Sequence, residues 1–262
     1  MSIENLKGMI LKMKIYDTVI VGSGYASLGY AMTHPRCLIV EERESCDNSF
    51  SLTLRSFKKK EYTPTTEAGR RLEEKLVHLG LLSDGMMNAS GLECALCEQI
   101  LDAEVEVLIR TRIISTERVG ELYRLRIING GGITSVLTRR ILDTGAVIDR
   151  FSLTVLFTSE NPERDIPTLL ASFPGATCER AFYRDRYALH VPSELDGDPH
   201  ALCAEVYRTW CAADHTACLI YVAPVLSAEA QETGNPLCDA CYTDPVAAID
   251  AGVKYAEHGG TI

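Results

Sequence analysis

The chain has 262 residues, of which 46% are hydrophobic and 24% are charged, and this balance excludes a disordered protein. Its 26 basic and 36 acidic residues give a net charge of −10, so neither a nucleic acid nor a membrane is expected as a partner. This length is expected to form one large domain or two closely packed units.

Residues 1–14 are expected to be a tail outside the fold. They have neither the apolar run nor the cleavage site of a signal peptide, and Met9 and Met13 leave a later start open. No segment reaches the roughly 18 uninterrupted apolar residues that a membrane span needs. Ten cysteines without a secretion signal indicate free thiols in a reducing compartment, so a cytoplasmic location is expected.

A strand, a glycine turn, a helix and a second strand follow this tail. Tyr16 to Val21 is a short run rich in β-branched residues, typical of a buried parallel strand. Gly22-Ser23-Gly24 predicts the turn, Tyr25 to Met32 predicts the helix, and Cys37 to Val40 predicts the second strand. Together they predict one right-handed βαβ unit.

The glycine turn is a candidate dinucleotide site. Its residues are Gly22, Ser23, Gly24, Tyr25 and Ala26. Two glycines permit a tight turn and let a diphosphate approach the helix N-terminus, where free N–H groups and the helix dipole favour an anion. Ser27 stands where a third glycine is usual, and Gly29 can share its packing role. Glu41 ends the second strand, where a carboxylate can bind ribose hydroxyls. The alternative is a tight turn that binds no ligand.

The remaining elements are predicted from periodicity and turn residues. In chain order they are helices over 66–79 and 89–101, strands over 105–109, 112–117, 123–128 and 135–144, a strand over 152–158, a helix over 162–173, a hairpin over 177–191, a helix over 199–212, a strand over 217–226 and a helix over 245–257. The strand over 135–144 is expected to return to the main sheet. The sequence therefore predicts an α/β fold, with a Rossmann-like, three-layer domain built on a parallel sheet (residues 15–150 and 229–262). A small inserted α+β domain is expected over residues 151–228.

Three separated segments share one further pattern: Tyr16 to Glu42, Arg140 to Ala146 (RILDTGA) and Asn235 to Gly252 (NPLCDACYTDPVAAIDAG). They resemble the N-terminal βαβ unit, the second flavin motif and the C-terminal motif of FAD-dependent oxidoreductases of the glutathione-reductase structural type. The resemblance implies FAD rather than NAD as the cofactor. Cys238 departs from the pattern, because the family commonly has glycine before Asp239-Ala240.

The resemblance also implies which residues contact the cofactor. Beyond the glycine turn these are Glu41, Glu42, Ile113, Thr144, Gly145, Asp239 and Ala240. Asp239 would contact the ribitol or a phosphate, and the backbone at Ile113 would face the adenine. No second glycine-rich βαβ unit occurs, which argues against an NADPH-dependent disulfide reductase. Electrons would come from the substrate, from transiently bound nicotinamide or from a partner protein.

Cys238, Cys241 and His190 are the candidates for catalysis. The two cysteines could exchange electrons with a flavin as a dithiol, or serve only as small packing residues. His190 could act as an acid or base near neutral pH, or be structural.

The other cysteines and the basic residues have simpler interpretations. Cys94, Cys97, Cys203, Cys211 and Cys218 are expected to pack in the core, and no metal site is expected. Lys58 to Lys60 is interpreted as a solvated loop or a contact for an anion. Arg184 and Arg186 alternate with tyrosines on a predicted strand, where they could face either solvent or a cleft.

The main hypothesis is an FAD-dependent oxidoreductase that transfers a hydride between a small organic substrate and the flavin. An electron-donor protein is a second candidate partner. The alternatives are a flavin-binding electron-transfer subunit or non-catalytic family member, and an NAD-binding regulator.

Overall fold

Two β-sheets with helices packed against them organise the chain. The computed structural model describes residues 14–47, 49–55, 62–193, 198–230 and 234–259. The helices are α1 (Tyr25–Thr33), α2 (Glu67–His78), α3 (Leu92–Asp102), α4 (Pro162–Ser172), α5 (Pro199–Ala212) and α6 (Pro245–Glu257), with 3₁₀ turns at Ala89–Gly91 and Asp239–Cys241. The strands are β1 (Ile15–Val21), β2 (Cys37–Val40), β3 (Leu82–Ser83), β4 (Met86–Met87), β5 (Glu106–Leu108), β6 (Arg112–Val119), β7 (Leu122–Asn129), β8 (Gly132–Asp143), β9 (Ile148–Thr158), β10 (Thr177–Arg180), β11 (Arg186–Ser193), β12 (Cys218–Val222) and β13 (Ser227–Ala230).

The first sheet has six strands in the order β5-β2-β1-β8-β7-β6. Strands β5, β2, β1 and β8 are parallel, as predicted for the main sheet, whereas β6 and β7 are antiparallel and extend it with a meander. Strand β8 joins the two parts, because its first half pairs with β7 and its second half with β1. The predicted return of this strand to the main sheet is therefore confirmed.

The meander of β6, β7 and β8 folds over one face of the parallel strands. Only residues 109–111 separate β5 from β6, and that link spans at most about 14 Å. In a flat sheet β5 and β6 would be the two outer strands, five strand spacings of about 4.8 Å apart, which is a distance of about 24 Å. Leu125, Ile127 and Val136 of the meander pack instead on Val19 and Leu38 of the parallel strands. Meander, parallel strands and helices thus form three layers.

Helices α1 and α6 cover the opposite face of the parallel strands. Tyr30 of α1 and Ala256 of α6 pack in one cluster with Ile20 and Ile39. A second cluster joins α1 and α6 to α2 and α3; it includes Leu28, Leu72, Leu76, Leu92, Leu96 and Ile249. The predicted helix over 245–257 matches α6 at both ends.

The second sheet is antiparallel and is built around β9. Strands β11 and β10 lie on one side of β9, and β12 and β13 lie on the other. Helices α4 and α5 cover one face, where Phe157, Leu169, Leu189 and Trp210 form the core. Its strands run from Ile148 to Ala230, slightly beyond the range 151–228, and whether they form a separate domain stays a prediction.

The predicted single strand over 217–226 is wrong. The structure has β12, then a break, then β13, and both strands pair with β9. Pro224 lies in the break, and proline has no N–H group to donate to a sheet. Among the described residues, no helix is both long and apolar enough to pass through a bilayer.

Candidate functional site

The turn between β1 and α1 has room for glycine only. Gly22 has φ +100°, and a Cβ there would lie 2.0 Å from Oγ1 of Thr144. A Cβ on Gly24 would lie 2.3 Å from Oδ2 of Asp239. Both glycines therefore permit close approach of other segments to the N-terminus of α1, while the approach of a diphosphate to this turn stays a prediction.

Glu41 lies beside the same turn at the end of β2. Its carboxylate accepts hydrogen bonds from Ser23 N at 2.8 Å, Ser23 Oγ at 3.0 Å and Arg43 N at 2.7 Å. Only 6% of Glu41 is exposed. Because two carboxylate oxygens offer about four acceptor sites, Glu41 keeps capacity for a ribose hydroxyl.

Asp239 occupies the N-terminus of α1. Oδ2 accepts a hydrogen bond from Tyr25 N and Oδ1 accepts one from Ala26 N, both at 2.9 Å. Burial raises the pKa of Asp239 to about 6, although the two N–H groups and the positive charge of Arg55 favour its ionised form. The carboxylate thus takes the position where a helix N-terminus ordinarily binds a phosphate.

The three segments singled out in the sequence meet at this point. Thr144 N and Oγ1 both donate to Val21 O at 3.0 Å, which places the second motif against the end of β1. Asn235 Nδ2 donates to Asp143 O at 2.5 Å and to Gly145 O at 2.9 Å, which ties the C-terminal segment to the second motif. Asp239 then bonds to the N-terminus of α1, and Ala240 follows it in the 3₁₀ turn.

Close backbone packing fixes the direction of α1. A Cβ on Gly29 would lie 2.1 Å from Ile249 O, and one on Gly252 would lie 1.9 Å from Ala26 O. Gly29 therefore serves helix–helix contact with α6 rather than helix–strand contact. Ser27 is fully buried and donates to Gly24 O at 2.9 Å.

Asp47, which the sequence did not single out, is buried near Asp239. None of its surface is exposed, and its Oδ1 accepts a hydrogen bond from Phe50 N at 2.9 Å. Its Oδ2 has no hydrogen-bond partner among the described residues. Burial raises the pKa of Asp47 to about 7, and the charge of Asp239 adds to the rise.

Arg55 is the second residue that the sequence did not reveal. Burial lowers the pKa of its guanidinium, while the negative charges of Glu229, Asp239 and Glu179 oppose that change. Its Nη1 is buried and has no hydrogen-bond partner within the described ranges. The negative charges that act on Arg55 thus come both from Asp239 at the α1 N-terminus and from Glu179 and Glu229 of the second sheet.

His190 lies on the face of the second sheet opposite its hydrophobic core. Nδ1 is 3.2 Å from Oγ1 of Thr154, and Nε2 is 3.0 Å from Oε1 of Glu179. Its neighbours on β11, Leu189 and Val191, point into the core. Since Glu179 is also an electrostatic neighbour of Arg55, the structure places His190 on the side of the sheet that Arg55 faces.

Cys238 and Cys241 flank Asp239 and Ala240 in a 3₁₀ turn. Each of the two thiols influences the pKa of the other, and both residues are buried. Burial raises the pKa of Cys238 to about 12 and also raises that of Cys241. Because the thiolate is the reactive form, this environment favours the packing interpretation over the redox one.

Alkylation with iodoacetamide at pH 8 is expected to label exposed Cys94, Cys211 and Cys218 long before Cys238 and Cys241. A pKa near 12 lowers the thiolate fraction of Cys238 about a thousandfold relative to an ordinary thiol. Peptide mapping by mass spectrometry measures the order of labelling, and denatured protein is the control in which all sites should react. Early labelling of Cys238 in the folded protein would contradict this expectation and favour the redox role.

Glu42 and Ile113, two further expected cofactor contacts, make other contacts within the chain, and their role toward the cofactor stays a prediction. The Glu42 side chain is exposed and forms an ion pair with Arg112 at 3.4 Å. Ile113 pairs with Ile127 in the meander, whereas Thr111 is the residue whose N–H donates to Glu41 O at 2.9 Å. The sequence placed Ile113 in the strand that follows the helix, but that strand is β5 and it ends before this segment.

Several minor expectations also change. Cys94, Cys211 and Cys218 are exposed, so core packing is wrong for these three, while Cys97 is partly buried and hydrogen-bonded to Cys46. Arg184 lies in a turn rather than a strand, and Arg186 stacks on the ring of Tyr183 at 4.4 Å. Lys58 to Lys60 lie outside the described residues. Across the described ranges, no group of three or more His, Cys, Asp or Glu side chains could hold a metal ion.

Comparison with known proteins shows the fold. No family model matches the chain, and no curated protein matches its sequence. The p-nitrophenol 4-monooxygenase PnpA from Pseudomonas putida DLL-E4 matches with TM-score 0.55 and 10% identity over 95% of this chain and 82% of its own. BexE, studied for oxidation during BE-7585A biosynthesis, matches with TM-score 0.56 and 12% identity over 94% and 61%. The substrate-free rebeccamycin biosynthetic enzyme REBC matches with TM-score 0.51 and 14% identity over 93% and 62%.

The chain has the fold of these three proteins. It spans less than two thirds of the length of BexE and REBC. The narrower resemblance to enzymes of the glutathione-reductase type stays a prediction.

The residues at the α1 N-terminus fit the FAD that the sequence resemblance implies, with one condition. Gly22 and Gly24 let Thr144 and Asp239 lie against the start of α1, and we call this meeting point the cradle. Nη1 of Arg55 is a buried donor without a partner among the described residues. The condition concerns Asp239, because its carboxylate holds the two N–H groups that a diphosphate would need.

Proposed function

We propose that this chain is an FAD-binding oxidoreductase that acts on a small organic molecule. The observation that carries the proposal is the meeting of three distant segments at the N-terminus of α1, where two glycines have no room for a side chain. The fold shared with a monooxygenase supports it.

The residues of the cradle would have distinct roles. The N–H groups of Tyr25 and Ala26 would hold the diphosphate, and Glu41 would hold the adenosine ribose. The turn at Thr144 and Gly145 would approach the flavin, and Asp239 would contact the ribitol once it leaves the helix N-terminus. When bound, FAD would supply a hydride acceptor or donor, and the protein would position the substrate.

The substrate would lie between this cradle and the β9–β11 face of the second sheet. His190 is held at both ring nitrogens, by Thr154 and Glu179, so its ring is fixed in one orientation. A histidine paired with a carboxylate can hold or pass on a proton near neutral pH. Because PnpA, which shares this fold, is a p-nitrophenol 4-monooxygenase, small phenols are the first compounds to test.

Protein purified without added cofactor is expected to show flavin absorption bands, and heating should release FAD that can be identified by chromatography. The Gly24→Val variant is expected to lose at least about 90% of this flavin. Its Cβ would lie 2.3 Å from Oδ2 of Asp239, so the added side chain would fill the place that a diphosphate takes when Asp239 leaves. Gly130→Ala is the matched control, since no described atom lies within 4 Å of the Cβ it adds. A colourless wild-type protein that does not bind added FAD would contradict the proposal.

A second candidate is a flavin-binding electron-transfer subunit or a member of the fold that has lost catalysis. It is favoured by the internal hydrogen bonds of Asp239, which take up the two N–H groups at the start of α1 within the chain. Anaerobic reduction separates the candidates: bleaching of the flavin by a small molecule indicates an enzyme, and bleaching only by a partner reductase indicates a carrier. An NAD-binding regulator would instead give a colourless protein that binds NAD in calorimetry.

A further inference from the structure

Asp239 is an anion of this chain placed in an anion-binding position. Its two carboxylate oxygens each take one N–H group at the start of α1, at 2.9 Å. Gly24 provides the space, because a Cβ there would overlap Oδ2. The helix dipole and the free N–H groups stabilise the carboxylate as they would stabilise a phosphate.

One pair of N–H groups cannot serve two anions. A diphosphate that approaches Tyr25 and Ala26 meets the Asp239 carboxylate at the same donors, and like charges at about 4 Å repel strongly at a partly buried site. The carboxylate must therefore leave before the diphosphate can bind.

Arg55 provides the charge that makes such an exchange feasible. Its guanidinium is an electrostatic neighbour of Asp239, and its Nη1 is a buried donor with no partner in the described part of the chain. A cation at this place offsets the negative charge that a diphosphate brings next to Asp239.

We propose that Asp239 is a displaceable internal anion: it occupies the diphosphate position of α1, a nucleotide diphosphate replaces it there, and Arg55 compensates the added negative charge. The proposal rests on the function proposed above and adds a control of nucleotide uptake by this chain's own carboxylate.

Proton uptake should accompany the exchange. Burial raises the pKa of Asp239 to about 6, and the two N–H groups limit that rise. A displaced Asp239 loses those hydrogen bonds and lies near phosphate charge, so its pKa rises further. Binding then takes up a proton, and affinity increases as pH falls from 8 to 5.

The groups that face Asp239 come from several elements. They are Tyr25 on α1, Asp47 and Arg55 on the segment after β2, and Cys238, Cys241 and Tyr242 on the turn itself; Glu229, Glu179 and His190 of the second sheet lie beyond Arg55. Burial raises the pKa values of Tyr25, Cys238, Cys241 and Tyr242, which keeps them neutral in this range. Asp47 and His190 are therefore the groups to control for.

The experiment measures the affinity of ADP-ribose by calorimetry at pH 5, 6, 7 and 8. This probe carries the diphosphate but has no ribitol, so the ribitol contact that the resemblance implies for Asp239 does not enter. It also has no terminal phosphate that titrates in this range. The proteins are the wild type, Asp239→Asn, Asp47→Asn and His190→Gln, each checked for cooperative thermal unfolding.

We expect wild-type affinity to rise about tenfold from pH 8 to pH 5, which corresponds to a change of about one unit in the pKa of one group on binding. Asp47→Asn and His190→Gln should show the same rise in affinity between pH 8 and pH 5, which we call the slope. Asp239→Asn should bind at least about fivefold more tightly at pH 8 and show little slope, because an amide lacks the competing charge.

A wild-type affinity that does not change with pH would overturn the proposal, as would a slope that disappears in Asp47→Asn or His190→Gln. Should Asp239→Asn not fold, the pH dependence of ADP-ribose affinity in the wild type, Asp47→Asn and His190→Gln still tests the proposal. If FAD and ADP-ribose bind to none of these proteins at any pH, the proposed function fails as well. FAD binding without the expected slope overturns this inference alone.

Discussion

Replacing Gly252 with alanine is expected to lower the free energy of unfolding by about 3 kcal/mol. The added Cβ would lie 1.9 Å from Ala26 O and 2.9 Å from Tyr30 N. Both are backbone atoms of α1, so no side-chain rotation can relieve the overlap and the two helices must separate. This cost exceeds the gain of about 1 kcal/mol that alanine brings to a helix interior.

Urea denaturation followed by circular dichroism measures this effect. Gly130→Ala serves as the control, because the space around its added Cβ is open to 4 Å in the described structure, and its stability should change by no more than about 0.5 kcal/mol. Because Gly252 sets the position of α1, flavin content should fall together with stability. A Gly252→Ala protein as stable as the wild type would show that α1 and α6 are not packed this closely.

The Asp250→Ala substitution is expected to cost about 4 kcal/mol of stability, since it removes a buried charged acceptor from several donors. Asp250 on α6 has no exposed surface. Its carboxylate accepts hydrogen bonds from Tyr62 Oη at 2.9 Å, Thr65 N at 2.5 Å, Thr65 Oγ1 at 2.8 Å and the Thr66 hydroxyl. The substitution therefore leaves these partly buried donors at the start of α2 without their shared acceptor.

The same substitution should change the response to acid. Burial opposes ionisation of Asp250, but hydrogen bonds from Thr66 and Thr65 are stronger and hold its pKa below the ordinary value. A depressed pKa stabilises the fold above the ordinary value of about 4, and this contribution is lost as pH falls through the folded value. Wild-type stability should therefore fall more steeply below pH 4 than that of Asp250→Asn or Asp250→Ala.

Asp214→Ala is the matched control for this prediction, because its carboxylate is almost fully exposed and 3.3 Å from Arg164. Its effect should stay within about 0.5 kcal/mol. Equal acid sensitivity of the wild type and Asp250→Asn would show that Asp250 is not the group that titrates.

Much of the cradle was predictable because its signals are local. The run from Tyr16 to Val21, the glycines that follow it and the acid that ends β2 lie within one βαβ unit, where a strand period and a glycine turn fix the geometry. The N-terminus of α6 was equally predictable, because Asp244 caps the helix and Pro245 is its first residue.

The parts that could not be predicted depend on contacts between distant segments. Asp47 and Arg55 lie in a polar stretch with no period, so nothing local shows that they are buried. From the sequence, the carboxylate of Asp239 could have pointed either to a ligand or to α1. Its close approach to Gly24 in the structure shows that it points to α1. The strand assigned to Ile113 was wrong because the chain turns from β5 into the meander within three residues, and sequence patterns do not show such a turn.

The contact between Ala26 and Asp239 joins residues 213 positions apart, and α6 lies later still in the chain. A ribosome that adds 5–20 residues per second needs roughly 10–40 s to synthesise that interval. Throughout this time the nascent α1 has neither its anionic cap nor the helix that covers it. Helix α1 thus leaves the ribosome tunnel long before the segments that complete it are made, and this interval is when aggregation of the new chain or its capture by chaperones would occur.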